Sequence, residues 1–288
     1  MNKKTHPQPN MYYRHISSER KWTDLRLREV WRYRDLIVLF TKRTFALSYK
    51  QTILGPLWLF LNPFLTSVVY TVVFGQIAGI RTDGLPQLLF YLGSTAIWTY
   101  FSSCVLGNSY TFHSNADIFG KVYFPRLTVP ISQVASNLIR FAIQISMVLA
   151  VLVYYVVRRE VQPHFAAWPL ILLVLLQLGA MGMGVGLIIS SLTVKYRDLS
   201  ILVSFGVRLW MYATPVIYPL SQLPAGWIRT VVLLNPVTAP IELFRFALLG
   251  RGIFVWSSYL LSWVFTLCVL VFGMMVFTRV EKNFMDMV

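Results

Sequence analysis

Apolar residues gather in six long runs, at about residues 57–79, 87–109, 131–157, 168–194, 200–222 and 253–278, with short polar connections between them. A helix rises about 1.5 Å per residue, so roughly 20 mostly apolar residues cross the hydrocarbon layer of a bilayer. Each run meets that length. The pattern predicts an all-α integral membrane protein with six transmembrane helices and both termini on one side. Residues 1–56 lack the early apolar core of a secretory signal, which leaves the first span to direct insertion. The expected organisation is a flexible extension over 1–27, an amphipathic interfacial helix within 28–56, a six-span domain over 57–278 and a short tail over 279–288.

Two segments have a different periodicity. Over 28–52, Arg28, Arg32, Asp35, Lys42 and Lys50 recur near a 3.6-residue period, while Val30, Tyr33, Ile37, Phe40, Thr44 and Leu47 follow the other face. This predicts a helix lying in the membrane interface, ended by Gly55-Pro56 before the first span. Between spans five and six, Asn235-Pro236 precedes the apolar stretch 241–249 and Gly250, too short to cross a bilayer. The spacing predicts a re-entrant helical hairpin, with Glu242 and Arg245 paired on one helix face. The loop over 110–130 mixes aromatic and basic residues. Ser114 or Asn115 is the expected N-cap of a short helix ended by Gly120, presenting Phe112, Ile118 and Phe119 to a partner's groove.

Composition agrees with a membrane location. The chain of 288 residues is 56% hydrophobic and 13% charged, with mean hydropathy +0.60. The net charge of +15 would suggest nucleic acid in a soluble protein, but here the charges lie outside the apolar runs. Twelve Lys and Arg residues precede residue 57, and Lys121, Arg126, Lys195, Arg197, Arg279 and Lys282 fall on the same side of the six-span layout. The opposite side holds only Arg81, Arg158, Arg159, Arg229, Arg245 and Arg251. That bias predicts cytoplasmic termini in a bacterial inner membrane.

Several chemistries are excluded or disfavoured. The expected spans contain no Asp, Glu, Lys or His, so ion-coupled transport lacks its usual mid-membrane carriers. Gly120-Lys121 is followed by Val122 and does not complete a phosphate-binding loop, so ATP hydrolysis is not expected in this chain. The four histidines and two cysteines have no metal-ligand spacing. No catalytic constellation is visible, and a transport subunit rather than an enzyme is expected. Within spans, Arg140 and Arg208 are the charged residues, each costly unless it faces a cavity, a partner or a headgroup.

Four blocks and the tail carry a family resemblance: YRDLIVLFTKRTFALSYKQTILGPLWLFLNPF at 33–64, KVYFPRLTVP at 121–130, SLTVKYRDLSILVSFGVRLWMYATPVIYP at 191–219, LNPVTAPIELFRFALLG at 234–250 and FTRVEKNFMDMV at 277–288. In this order, the chain resembles the membrane subunits of ABC-2 type exporters, specifically permeases for polysaccharide, O-antigen and teichoic acid. The resemblance implies a homodimer bound to two copies of a separate nucleotide-binding ATPase, which holds ATP and Mg, and export of a lipid-linked glycan. It implies that the interfacial helix, with Arg34, Asp35 and Lys42, and the loop helix, with Phe112, Asp117, Ile118 and Phe119, meet the ATPase. It also implies lateral substrate access near the first and fifth spans.

Aromatic side chains offer a lining for a sugar pathway, because their faces stack on C–H surfaces while Tyr and Trp keep a polar tip. The candidates are Tyr70, Trp98, Tyr100, Phe101, Trp210, Tyr212 and Tyr218. Arg208 is the candidate acceptor of the lipid pyrophosphate. The alternatives are an ABC-2 exporter of a drug or small lipid, a membrane glycosyltransferase and an ion channel.

Overall fold

The computed structural model describes residues 27–50, 53–194, 196 and 198–283. The expected extension up to residue 26, Lys195 and Arg197, and the tail from 284 lie outside the described residues. The elements are all helical. They are α1 (Leu27–Arg32), α2 (Arg34–Tyr49), α3 (Trp58–Tyr70), α4 (Gln87–Ser109), α5 (Thr111–Ser114), α6 (Ala116–Phe119), α7 (Thr128–Val157), α8 (Pro169–Thr193), α9 (Leu199–Tyr212), α10 (Trp227–Leu234), α11 (Thr238–Leu249) and α12 (Trp256–Asn283). Short 3₁₀ turns and a π-helical turn over Thr71–Ile77 connect or extend them.

Five segments are long and apolar enough to cross a membrane: Gly55–Ile77, which contains α3, then Gln87–Ser109, Thr128–Val157, Pro169–Thr193 and Trp256–Glu281. Their bounds lie within three residues of five of the expected runs. The fifth expected span, 200–222, is helical over only part of its length. α9 ends at Tyr212 after 14 residues, which reach about 21 Å. Pro215 explains the stop, since it lacks an N–H and its ring disfavours helix in the preceding residue. Thr214 turns its hydroxyl back onto the Trp210 carbonyl at 2.8 Å, and Thr214–Ile217 are buried as irregular chain. The helices α10 and α11 form a pair bent by 83°, the geometry of either a broken span or a re-entrant loop.

α4 occupies the centre of the fold. Sixteen of its 23 residues are buried, against three of 13 in α3 and one of 14 in α9. The close partner of α4 is α8, whose glycines permit the approach. A Cβ at Gly182 would stand 2.7 Å from the Cβ of Cys104, and one at Gly186 would stand 2.5 Å from the Cβ of Asn108. Gly184 meets α12 in the same way, 2.8 Å from the Leu270 backbone. The small-residue spacing of the fourth span is thus packing within the chain.

A second, smaller core closes the end of the bundle formed by α1, α5, α6 and the last turns of α12. Val30 of α1, Phe112 of α5, Phe119 of α6, Phe124, Leu127, Met274 and Phe277 bury together, with Tyr33, Ile37 and Phe40 against them. The rings of Phe112 and Phe277 stack at 4.4 Å. The expected single helix over 28–52 is interrupted at Tyr33, whose φ of −94° and ψ of 24° separate α1 from α2. Leu47, placed on the apolar face by its spacing, is exposed. α2 lies along α7, where the Thr41 hydroxyl contacts the Ser132 carbonyl at 3.4 Å.

Candidate functional site

The aromatic candidates separate into two groups. Trp98, Tyr100 and Phe101 are buried, because α3, α7, α8, α9 and α11 surround α4. Phe101 packs edge-on to Trp210 at 5.2 Å and beside Trp98 at 5.4 Å. Tyr100 rests on Phe141 at 5.6 Å and donates its hydroxyl to the Leu175 carbonyl at 3.1 Å. These three fill the core of the chain, which corrects the expectation that they line a pathway.

The other four gather on the flank shared by α3 and α9. Tyr70 directs its hydroxyl at the Met211 sulfur, 3.9 Å away, and stacks edge-on with Phe74 and Tyr91. Tyr218 donates to the Tyr212 carbonyl at 3.1 Å. Tyr212 is 54% exposed, and Ile201, Leu202, Phe205 and Leu209 of α9 are exposed as well. Arg208 is exposed on the same helix and makes no ion pair or hydrogen bond among the described residues. Among the described residues, this flank has aromatic side chains and one guanidinium without a hydrogen bond or ion pair, and nothing covers it.

The end of α9 is held by Asn235, a residue whose role its motif did not reveal. Its Oδ1 accepts from Trp210 Nε1 at 3.1 Å and from the Val237 backbone at 3.1 Å. Its Nδ2 donates to the Ala213 carbonyl at 3.0 Å and to Thr214 Oγ1 at 2.9 Å. One amide therefore fixes both the stop of α9 and the bend between α10 and α11. The expected Glu242–Arg245 pair is present at 2.6 Å, with both side chains buried. Arg245 also donates to Ser94 Oγ at 3.1 Å and to the Pro215 carbonyl, and lies over the Phe90 ring at 4.3 Å. Glu242 Oε2 accepts from the Ile253 backbone at 3.0 Å. The pair ties α11 to α4, to the irregular segment after α9 and to the lead-in of α12.

At the opposite end, the loop helix is also corrected. Asn115 divides it into α5 and α6, and its side chain donates backwards to the Thr111 carbonyl at 3.0 Å instead of capping the next turn. Phe112 and Phe119 are buried anchors, not exposed ones, and Ile118 is half-buried. Asp117, with His113 and Ser114, remains on the surface. On α2, Arg34, Asp35 and Lys42 are exposed, with Arg34 4.0 Å from Asp35. A cavity of about 440 Å³ separates α2 from α5 and the start of α7, bounded by Arg43, Ser48, Tyr110 and Gln133. Among the described residues, no three His, Cys, Asp or Glu side chains converge as metal ligands.

Comparison with known proteins bears on which membrane protein presents these surfaces. The profile of the ABC-2 type transporter family matches residues 35–249, from α2 to the last residue of α11. The chain belongs to that family. Among its relatives, the ABC-2 chain is 31% identical to an O-antigen export system permease protein of Myxococcus xanthus over 217 residues, 74% of this chain and 80% of the relative. It is 26% and 27% identical to two such permease proteins of Klebsiella pneumoniae, over 88% of this chain and 94% of each relative. The matched region contains the α3/α9 flank, the Asn235 hub, the Glu242–Arg245 pair and the α5–α6 loop of this ABC-2 protein. It is a multi-pass membrane protein with five to six crossings.

Proposed function

We propose that this chain is the membrane-spanning subunit of an ATP-driven exporter that moves a lipid-linked polysaccharide of the O-antigen, capsule or teichoic-acid kind outward. The observation that carries this reading is its similarity to three O-antigen export permeases along most of their length. The geometry supports a location for the pathway. The middle of the single chain is filled by α4 and its neighbours, whereas α3 and α9 bury four of their 27 residues between them. A pathway wide enough for a glycan forms where that flank meets a second copy. Tyr70, Trp210, Tyr212 and Tyr218 line it, and Arg208 receives the lipid pyrophosphate.

The end holding α1, α2, α5 and α6 faces the cytoplasm, as the basic bias supports. There two copies of a separate ATPase, holding ATP and Mg, contact Asp117 and the exposed face of α2 with Arg34, Asp35 and Lys42. α2 lies in the interface, α9 with the irregular chain that follows it makes the fifth of six crossings, and α10–α11 enter and leave the outer leaflet as a re-entrant pair. ATP binding in the partner favours one arrangement of the two permease copies, and its differential affinity for the two arrangements supplies the work.

The test is purification of the tagged chain from its native membranes in mild detergent, with identification of co-purifying chains and an ATPase assay. Recovery of one ATP-binding subunit at equal stoichiometry, with activity altered by lipid-linked glycan, is expected. Recovery of the chain alone, even on co-expression, overturns the reading and favours a channel or a membrane enzyme.

A further inference from the structure

The flank of α3 that faces away from α9 contains a second polar feature. α3, α4 and α7 line an open cavity of about 290 Å³. Arg140 and Gln144 of α7, Asn62 of α3, and Thr99 and Ser103 of α4 line it, with Trp58 at its edge. Such a concentration of donors within apolar runs requires an occupant or water, because unpaired polar groups are costly in hydrocarbon.

Arg140 is held in place yet left with unused donors. It donates through Nη1 to Asn137 Oδ1 at 3.1 Å and through Nη2 to Ser48 Oγ in the last turn of α2. Its Nε is buried without a partner. It forms no ion pair among the described residues. A guanidinium carries five N–H groups, so several remain for an acceptor. The side-chain amides of Asn62 and Gln144 and the hydroxyls of Thr99 and Ser103 likewise make no hydrogen bond among the described residues.

The depth of Arg140 identifies the environment. α7 has 30 residues, about 45 Å, while the hydrocarbon layer is about 30 Å thick. The helix ends at Val157, before Arg158 and Arg159. Counting back about 20 residues puts the other hydrocarbon boundary near residue 138. Arg140 therefore sits at headgroup level, on the side that carries α2. Trp58, 41% exposed, is the type of side chain that anchors at that level.

We infer that this cavity binds the phosphate of a lipid headgroup, with Arg140 as its cation and the α3 and α4 donors completing the shell. A phosphate offers the several oxygens that a guanidinium with amide and hydroxyl donors from three helices can satisfy. The chemistry is shared by a polyprenyl pyrophosphate and by an anionic phospholipid. The inference is independent of the export reading, since α9 and Arg208 take no part in the cavity and binding is measured without transport.

The experiment uses the full chain in phosphatidylcholine nanodiscs, with native mass spectrometry and competition binding of phosphatidylglycerol, a polyprenyl pyrophosphate and inorganic pyrophosphate. Arg140→Gln is expected to weaken lipid binding about tenfold, the loss of one charged hydrogen-bonding group. Arg140→Lys retains most of it. Thr99→Val combined with Ser103→Ala weakens binding with the charge intact, which keeps the test valid where Arg140→Gln fails to fold. Selective displacement by the polyprenyl pyrophosphate assigns the site to the carrier lipid, and equal displacement by phosphatidylglycerol assigns it to bulk lipid. Unchanged affinity in a folded Arg140→Gln, or in the double variant where Arg140→Gln does not fold, overturns the inference. Binding of inorganic pyrophosphate with no lipid retained overturns the lipid assignment.

Discussion

Arg245 and Glu242 show how a single pair is both legible and incompletely legible. Their i, i+3 spacing predicts contact on one helix face, but not that Arg245 also reaches Ser94 and the Pro215 carbonyl across distant sequence. Removing one partner leaves the other charge buried, at a cost of about 3–5 kcal/mol. Arg245→Ala is therefore expected to lower the melting temperature of the purified chain sharply, and Glu242→Gln with Arg245→Met to recover part of the loss. Equal melting of the single variant and the unaltered chain would contradict this role. The glycines give a second prediction from contact distances. Gly186→Ala must push apart α8 and α4 at Asn108, an overpacking cost of about 1–3 kcal/mol. Gly206→Ala in α9 meets nothing within 4 Å. Thermal unfolding of the two in detergent separates them, the first destabilised and the second at or above the original stability.

Hydropathy locates elements well where helices are long and uninterrupted, which is why five spans agree with their runs. It fails at α9 because a window averages across Pro215: the apolar residues after it are buried by α4 and α11 as irregular chain and not by lipid as helix. The signal was present in the Ala213-Thr214-Pro215 order. Periodicity likewise places Phe112 and Phe119 on a surface element, since nothing in local spacing shows that α12 returns to cover them. The buried rings anchor α5 and α6, leaving Asp117, with His113 and Ser114, on the surface. Phe112→Ala is expected to cost about 3–5 kcal/mol of stability, as for other buried aromatic truncations. Asp117→Ala is expected to leave melting unchanged and to uncouple partner ATPase activity from transport. A joint assay of melting and ATPase rate distinguishes the two, and an Asp117→Ala protein that stays fully coupled would remove this residue from the proposed contact.

For the whole molecule, the aromatic candidates divide according to topology that no local pattern contains. Trp98, Tyr100 and Phe101 share a helix enclosed on all sides, while Tyr70, Trp210, Tyr212 and Tyr218 lie where α3 and α9 lack a covering neighbour. α12 also exposes a row of apolar residues, including Val264 and Val271, so apolarity alone does not distinguish a face for a second copy from a face for lipid. Arg208 and the Tyr212 hydroxyl, which make no hydrogen bond among the described residues, make the distinction, because unpaired donors in lipid are costly whereas a water-filled pathway between copies solvates them. Cysteine cross-linking in membranes tests this directly, in a background with exposed Cys268 replaced by Ser. With a bifunctional thiol-reactive linker long enough to span the pathway, Tyr212→Cys is expected to form a covalent dimer and Val264→Cys to remain monomeric. The reverse pattern would place the pathway along α12, and cross-links at neither position would place the assembled copies elsewhere on the bundle.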